Sequence, residues 1–358
     1  MSRFFSPKFS NLTPYVPGEQ PQDQQYVKLN TNESPFPPSP AVVDAIREAG
    51  ARANLYNDPT CRALCQAIAN EYGVLPEQVH PVNGSDEILN FAIMAFCDEA
   101  HPLAYADITY GCYPVFAAFN HVPSHILPLR EDFTLDYRDY CGLNETIVIA
   151  NPNAPTGITL PKWQIEEILR TNPNNVVIID EAYVAFGAES CVDLIGKYDN
   201  LLVAQTFSKS HSLAGARLGF GFAQKELLGD INTIKYSTNP YNVNRMAQAA
   251  GVAAMGNNSY YLENCRIIQE NRAFTSAGLE QLGFTVLPSK TNFLFARCDR
   301  MDGEGLYLAL KQRGVLVRHF SKERIFDYLR ISIGTRAQME IFLNTTKDIL
   351  EQQGRKDA

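Results

Sequence analysis

Five groups of polar residues in this sequence each follow an apolar run or open a helical segment. They are Gly84-Ser85-Asp86, Thr109-Tyr110, 151–157, 180–183, and Ser208-Lys209 with Arg217. Because the carboxyl ends of the strands in an open parallel sheet form its ligand crevice, we expect these groups to meet at one edge of a sheet. Their amine, carboxylates, hydroxyls and guanidinium suit the binding of an anion beside a planar ring.

Asp180 ends the apolar run 176–180, so its carboxylate lies at the edge of a low-dielectric layer. An unpaired charge in such a layer is costly, and the carboxylate therefore needs a cationic partner. A protonated pyridine nitrogen would serve, because a carboxylate against that nitrogen keeps the ring electron-poor. The alternative is an aspartate that caps the following helix.

Lys209 follows the apolar run 201–206, and a desolvated lysine has a lowered pKa that frees its amine to form a Schiff base. The alternative is a solvated surface lysine. Its neighbours favour the first interpretation, because Ser208 and Arg217 flank it with a hydroxyl and a guanidinium. Gly84-Ser85-Asp86 opens a helix, whose free N–H groups form an anion site. Together these residues could hold a phosphate.

Three further side chains could contact a planar ring in this place. Tyr110 could stack on its face, while Asn153 and Tyr183 could donate hydrogen bonds to a phenolic oxygen on it. The alternatives are an ordinary core or surface tyrosine for Tyr110 and local turn or cap hydrogen bonds for the other two.

Composition narrows the class of protein. The chain has 358 residues, enough for about two domains, with 31 Lys and Arg against 39 Asp and Glu, a net charge of −8. No basic surface field is available for nucleic acid or an anionic membrane, so we expect neither as a partner. The sequence lacks dinucleotide, P-loop, zincin and serine-hydrolase motifs.

Eight scattered cysteines, and an N-terminus without a signal-peptide pattern, predict a cytoplasmic protein with reduced thiols. Cys61 and Cys65 are one helical turn apart, but they lack further ligands at metal-binding spacing, so we expect no metal and no disulfide.

Short apolar runs alternate with helical segments in the first part of the chain, which predicts an α/β domain with a mostly parallel sheet. The expected strands are 103–106, 146–150, 176–180, 201–206 and 218–222, with a helix at about 161–170. Ser39-Pro40 should open a helix whose apolar face is Val42, Val43, Ile46 and Ala49.

The last third of the chain changes to long helices and alternating strands, which predicts a smaller α+β domain. The expected helices from residue 242 onward are 242–255, 259–282, 304–313 and an amphipathic terminal one, and the expected strands are 292–296, 315–318 and 328–333. We therefore divide the chain into an N-terminal arm (1–38), a large domain (39–256) and a small domain (257–358).

Nine segments, in this order along the chain, match motifs of one family. They are NLTPY (11–15), LNTNESPF (29–36), YNDP (56–59), NGSDE (83–87), TYGCY (109–113), NPNAPTG (151–157), DEAY (180–183), TFSKSHSLAGARLGF (206–220) and LRISIGTR (329–336). On these segments the chain resembles the fold-type I pyridoxal-phosphate aminotransferases, and among them the histidinol-phosphate aminotransferases. The resemblance extends over essentially the whole chain and implies a seven-stranded, mostly parallel sheet in the large domain.

The resemblance also implies roles for individual residues around pyridoxal 5′-phosphate. Lys209 would be the Schiff-base lysine and proton shuttle, Asp180 the pyridinium partner, and Asn153 and Tyr183 the donors to the phenolic oxygen, with Tyr110 stacked on the ring. The cofactor phosphate would be held by Gly84, Ser85, Asp86, Ser208 and Arg217, with Tyr56 reaching in from the partner subunit of a homodimer.

For the substrate, the resemblance assigns Tyr15, Arg318 and Arg330 to the phosphate or carboxylate. It implies transamination of histidinol phosphate with 2-oxoglutarate to imidazole-acetol phosphate and glutamate, a step of histidine biosynthesis.

The sequence departs from the family pattern at 210–212 and at Ala154, which replaces a common asparagine. Related activities on the same motifs are transamination of aromatic amino acids and decarboxylation of a phosphorylated amino acid. A ligand-binding regulatory protein without turnover is a further alternative, which the full catalytic set and the lack of an appended DNA-binding domain disfavour.

Overall fold

The computed structural model describes residues 2–356 and contains thirteen strands in three sheets. The strands are β1 (Val27–Lys28), β2 (Val79–Val82), β3 (Leu103–Ala106), β4 (Ser124–Leu127), β5 (Thr146–Ala150), β6 (Val177–Asp180), β7 (Leu201–Thr206), β8 (Gly219–Phe222), β9 (Phe284–Val286), β10 (Phe293–Cys298), β11 (Val315–Leu316), β12 (Arg318–His319) and β13 (Tyr328–Ser332).

Ten α-helices are present in the described part of the chain. They are α1 (Pro40–Gly50), α2 (Arg62–Tyr72), α3 (Ser85–Phe96), α4 (Cys112–Phe119), α5 (Lys162–Thr171), α6 (Lys225–Thr238), α7 (Arg245–Met255), α8 (Asn258–Gln281), α9 (Gly303–Gln312) and α10 (Arg336–Lys356). Short 3₁₀ turns lie at Pro7–Phe9, Pro76–Gln78, Tyr137–Tyr140, Val184–Phe186, Val192–Leu194, Ala214–Ala216 and Glu323–Ile325.

The largest sheet has seven strands in the order β2-β8-β7-β6-β5-β3-β4. Only β8 runs antiparallel to its neighbours, β2 and β7. Every residue of β5, β6 and β7 is buried, as continuous apolar runs covered on both faces should be. The predicted α/β class and the mostly parallel seven-stranded sheet are confirmed.

The register of the central strands builds the edge at which the site lies. Ala150 of β5 pairs with Asp180 of β6, which pairs with Ala204 of β7. Because the three strands are parallel and end nearly level, the polar segments that follow them emerge side by side.

The C-terminal part forms a four-stranded antiparallel sheet, β12-β13-β10-β9. A separate buried cluster, with Leu294, Ile331 and Phe342 among its members, lies between this sheet and its helices. Leu29 of the predicted arm belongs to the same cluster, and β1 pairs with β11. The arm therefore packs against the C-terminal part of the chain. The predicted domain boundaries after residues 38 and 256 remain predictions.

Two local expectations were wrong, and some strands were not predicted. The run 315–318 is two strands, because β11 pairs with β1 whereas β12 pairs with β13. Val43 is 42% exposed rather than on the buried face of α1. Strands β2 and β4 were missed, since β2 contains Pro81 at a sheet edge and β4 is exposed at alternate residues.

No helix within residues 2–356 is long and apolar enough to cross a membrane. No group of three or more His, Cys, Asp or Glu side chains within that range is placed to hold a metal ion. The eight cysteines have free thiols.

Candidate active site

A cavity of about 120 Å³ opens at the carboxyl ends of the central strands. Eight predicted site residues line it together: Ser85, Asp86, Tyr110, Asp180, Tyr183, Ser208, Lys209 and Arg217. A larger neighbouring cavity of about 720 Å³ shares Tyr110, Tyr183 and Lys209 with it and also contains Tyr15, Arg318 and Arg330. The fold therefore assembles residues that are up to 315 positions apart in the sequence, from Tyr15 to Arg330.

Asp180, the last residue of β6, has a carboxylate that is only 5% exposed. Its Oδ2 accepts a hydrogen bond from the Tyr113 hydroxyl at 2.8 Å, and its Oδ1 accepts the Ala182 backbone N–H at 3.1 Å. Burial raises the pKa of Asp180 to about 6, against the lowering effect of these two hydrogen bonds. This carboxylate faces the cavity and is ready to pair with a cationic ring nitrogen.

Lys209 lies across the same cavity on the segment that follows β7. Its Nζ donates to the Thr31 carbonyl at 3.3 Å and lies 5.9 Å from the centre of the Tyr183 ring. Burial, helped by the positive charge of Arg330, lowers the pKa of Lys209 to about 8. A lysine with this pKa has a substantial neutral fraction near neutral pH and can act as a nucleophile or base.

One end of the cavity is built to hold an anion. Helix α3 begins at Ser85, so its first backbone N–H groups point into this region. The Arg217 guanidinium donates to Asp86 at 3.2 Å and to the Ser208 hydroxyl at 3.4 Å. A Cβ on Gly219 would lie 2.4 Å from the Ser85 nitrogen, so only glycine permits β8 to approach the helix start this closely.

The Asp86 carboxylate positions this end of the cavity. Its Oδ1 accepts the Tyr110 hydroxyl at 2.8 Å, while its Oδ2 accepts the Arg217 guanidinium. The sequence places Asp86 at the helix start whose free N–H groups form the predicted anion site. The side chain adds a second role, because it holds both Tyr110 and Arg217 in place.

Asn153 does not line this cavity, and its role as a donor to the ring stays a prediction. Its Nδ2 donates to the Ile108 carbonyl at 2.9 Å and to the Thr156 hydroxyl at 3.0 Å. Its Oδ1 accepts the Thr109 hydroxyl at 2.8 Å. The neighbouring Ala154 lines the cavity instead. Asn153 is committed to the structure of its turn.

Two guanidiniums line the larger cavity. Arg330 donates to the Asn30 carbonyl at 3.0 Å, and its buried Nε has no hydrogen-bond partner among the described residues. Arg318 donates to the carbonyls of Val16 and Pro17, each at 3.2 Å. Neither guanidinium pairs with a carboxylate in the described part of the chain.

Tyr15 covers this cavity from the arm. Its ring centre lies 6.1 Å from that of Tyr110, and a Cβ on Gly111 would touch it at 3.3 Å. The arm segment therefore forms one wall of the space around Arg318 and Arg330.

Tyr56 lies outside both cavities of its own chain. It is 80% exposed, and its ring stacks on Tyr241 with centres 4.6 Å apart. Its backbone carbonyl accepts a hydrogen bond from Arg245. An exposed, well-anchored tyrosine fits the predicted reach into a partner subunit, which stays a prediction.

His211 lies in a separate cavity of about 60 Å³ behind the site, with the buried Glu181. Its ring nitrogens contact Ser210 at 3.0 Å and Asn258 at 3.2 Å. Burial lowers the pKa of His211 to about 4, so it stays neutral at physiological pH. His211 lines neither the smaller nor the larger cavity.

Sequence reasoning missed two side chains that hold site residues. Tyr113 donates to Asp180, and Asn32 donates from Nδ2 to the Tyr183 hydroxyl oxygen at 3.0 Å. Both lie inside segments that carry the family resemblance, 109–113 and 29–36. Spacing alone gave no signal for them, because each partner is more than sixty positions away.

The arrangement defines a class of enzyme: a buried carboxylate, an amine of lowered pKa and an anion cradle surround one small cavity. A family model described as aminotransferase class I and II matches residues 24–345. The chain therefore belongs to the class I and II aminotransferase family, and the prediction that it is an aminotransferase is confirmed.

Individual relatives are more specific. The histidinol-phosphate aminotransferase of Acinetobacter baumannii (strain AB307-0294) is 47% identical over 353 residues, 97% of this chain and 98% of that protein. The histidinol-phosphate aminotransferase of Brachyspira hyodysenteriae is 46% identical over 98% of this chain and 100% of that protein.

A solved structure supports the fold. The histidinol-phosphate aminotransferase of Sinorhizobium meliloti in complex with pyridoxal-5′-phosphate superposes with a TM-score of 0.87 at 23% identity. The match covers 98% of this chain and 99% of that chain. At this identity the likeness bears on the fold alone.

Proposed function

We propose that this chain is a pyridoxal-phosphate enzyme that transfers the amino group of histidinol phosphate to 2-oxoglutarate, in histidine biosynthesis. The products are imidazole-acetol phosphate and glutamate. One observation carries the proposal: Arg330, whose buried Nε has no hydrogen-bond partner among the described residues, and Arg318 line the cavity that opens onto Lys209. The relatives that are 46–47% identical to this chain are histidinol-phosphate aminotransferases.

The residues of the smaller cavity fit pyridoxal 5′-phosphate. The start of α3, Ser208 and Arg217 supply donors for its phosphate, and the glycine at 219 keeps that cradle open. Asp180 supplies the anion that its ring nitrogen requires, and Lys209 supplies the amine. When bound, this cofactor supplies an aldehyde and an electron-withdrawing ring.

The chain's own groups then divide the work. Asp180 holds a proton on the ring nitrogen because a buried carboxylate without a cation is costly. Lys209 Nζ takes the proton from the α-carbon of the substrate, and its lowered pKa leaves it neutral enough to do so. Tyr110 covers one face of the cavity and is fixed by Asp86. Arg318, Arg330 and Tyr15 hold the distal anion of the substrate.

The cofactor assignment is tested by reducing the purified protein with borohydride and mapping the labelled peptide. A visible absorbance band and a label on Lys209 are the expected results. A colourless protein that gains no band on addition of pyridoxal phosphate, or a label on another lysine, would contradict the assignment.

The substrate assignment is tested by comparing kcat/KM for histidinol phosphate, phenylalanine and glutamate. A charge-assisted hydrogen bond contributes about 1.5–3 kcal/mol, so Arg318→Ala should lower kcat/KM for histidinol phosphate about ten- to a hundredfold. Glutamate should be affected less, because its carboxylate relies chiefly on Arg330. An equal loss for all three substrates would refute the assignment.

The aromatic side chains of the larger cavity favour a second candidate, transamination of aromatic amino acids. Tyr15, Tyr105, Tyr110 and Phe320 all line it. If the wild-type enzyme has a higher kcat/KM for phenylalanine than for histidinol phosphate, this activity takes the place of the first.

We further propose a homodimer with shared active sites, located in the cytoplasm. The supporting observation is the exposed apolar surface around Tyr56, where Leu55 is 57% and Tyr241 is 42% exposed. These residues lie beside a surface depression of about 420 Å³ that contains Asn244 and Arg245.

A further inference from the structure

Three consecutive residues of the predicted arm, 30–32, each contact one residue of the candidate site. The Asn30 carbonyl accepts a hydrogen bond from Arg330 at 3.0 Å, and the Thr31 carbonyl accepts one from Lys209 at 3.3 Å. The third residue, Asn32, donates from its side chain to Tyr183 at 3.0 Å. The segment therefore runs between the proposed anion site and the amine, and touches both.

Asn32 is held in a demanding conformation. The residue is 1% exposed, and its φ of 54° lies in the left-handed region, which asparagine adopts more readily than most residues but less readily than glycine. Such a conformation persists only where the surrounding contacts impose it, and it occurs preferentially at functional sites.

The contacts of Asn32 fix which way its amide points. The Ser332 hydroxyl accepts the Asn32 backbone N–H at 2.8 Å and donates its own proton to Asn32 Oδ1 at 2.9 Å. The Asn32 carbonyl accepts the side-chain amide of Asn292 at 2.9 Å. With Oδ1 engaged by a donor, Nδ2 must face Tyr183.

This orientation decides what Tyr183 can do. Its hydroxyl oxygen accepts the Asn32 N–H, so its single proton is left for another acceptor. The Tyr183 side chain lines both cavities beside Lys209. The hydroxyl can therefore donate its proton toward the cavity.

We propose that Asn32 is a positioning residue that turns the Tyr183 proton into the cavity, toward the phenolic oxygen of the cofactor. This inference rests on the proposed function, since it presumes pyridoxal phosphate in that cavity. Ser332 and Arg330 lie on the same strand, β13. The strand that carries the Arg330 guanidinium therefore also fixes the side-chain amide of Asn32.

The test is a pH titration of the visible absorbance of the holoenzyme, with Asn32→Asp as the main variant. The carboxylate has nearly the same shape but only accepts, so Tyr183 must turn its proton toward it. A hydrogen bond to the phenolic oxygen favours the anionic form, and its loss should raise the titration midpoint by about one pH unit. Tyr183→Phe should show the same shift, and the double variant should show no further shift.

Two additional variants keep the test decisive. Asn292→Ala removes a hydrogen bond from the same segment without touching the donor to Tyr183, so its midpoint should equal that of the wild type. Asn32→Gly suits the observed φ and tests the loss of the donor if Asn32→Asp does not fold. It should raise the midpoint in the same direction.

The outcomes separate the two proposals. If Tyr183→Phe shifts the midpoint while Asn32→Asp, or Asn32→Gly in its place, keeps the wild-type value, the inference about Asn32 is overturned. An equal shift in Asn292→Ala would also overturn it, because the effect would then belong to the segment as a whole. A wild-type protein without a visible band would instead refute the proposed function.

Discussion

The Tyr113 hydroxyl donates a hydrogen bond to Oδ2 of Asp180 at 2.8 Å, with both side chains buried. Tyr113 lies in the first turn of α4, and Asp180 ends β6. The hydrogen bond stabilises the ionised carboxylate and works against burial, which raises the pKa of Asp180. Tyr113 therefore helps to keep a negative charge where the ring nitrogen of the cofactor is expected.

Tyr113→Phe should lower kcat about ten- to a hundredfold, because a hydrogen bond to a charged group contributes about 1.5–3 kcal/mol. Weaker binding of pyridoxal phosphate should accompany the loss. Steady-state rates and a cofactor titration monitor both effects. Tyr105→Phe is the matched control, since Tyr105 is buried beside Tyr113 with ring centres 6.3 Å apart. Equal losses in the two variants would mean that general packing, not the hydrogen bond, is responsible.

Gly219→Ala should weaken cofactor binding by tenfold or more. The new Cβ would lie 2.4 Å from the Ser85 nitrogen and 2.7 Å from the Gly84 carbonyl carbon, so the start of α3 must shift. A displaced helix start presents its N–H groups poorly to a phosphate. The measurement is the dissociation constant of pyridoxal phosphate. Gly215→Ala is the control, because a Cβ there meets nothing within 4 Å, and its affinity should match the wild type.

The lowered pKa of Lys209 predicts a pH dependence of stability in the cofactor-free protein. Between its folded value of about 8 and its ordinary value of 10.5, the folded chain binds fewer protons at this site than the unfolded chain. The free energy of unfolding must then rise with pH across that window. Cofactor-free wild type should therefore gain stability relative to cofactor-free Lys209→Met between pH 8 and pH 10.5, measured by urea unfolding. If the difference in unfolding free energy between wild type and Lys209→Met stays constant with pH, the result would contradict the burial of the Lys209 amine.

Arg318→Ala should loosen the arm as well as the substrate site. The guanidinium holds the carbonyls of Val16 and Pro17, so its loss should speed chymotrypsin cleavage after Tyr15 about tenfold. Arg313→Ala is the control, since its side chain contacts Gln352 at the far end of α10. Unchanged cleavage in Arg318→Ala would show that other contacts suffice to hold the arm.

Shared active sites predict complementation between two inactive variants. Lys209→Ala retains Tyr56, and Tyr56→Ala retains Lys209, so a mixed dimer contains one complete site. If half of the dimers are mixed, activity should recover to about a quarter of the wild-type value. The assay is transamination after the two proteins are mixed and allowed to exchange subunits. A mixture no more active than its components would argue that Tyr56 acts within its own chain, or not at all.

Much of the fold follows from local patterns. Strands β5, β6 and β7 are continuous apolar runs buried on both faces, so their limits are predictable to within one residue. Strand β4 is not, because its residues are alternately exposed and its pairing to β3 depends on long-range register. The exposure of Val43 could not be predicted, because helical spacing identifies the apolar face of α1 but not how much of that face a neighbouring helix covers.

The sequence by itself determined the chemistry available: a lysine and an aspartate at strand ends, a helix start after Gly84, and arginines near the chain end. Only the tertiary structure decided which side chains turn inward. Asn153 and Ala154 are neighbours, yet the alanine lines the cavity while the asparagine holds its turn. Tyr113 and Asn32 acquire their roles from partners 67 and 151 positions away. Residue type and spacing fix what a side chain can do, whereas hydrogen-bond direction depends on packing between distant segments.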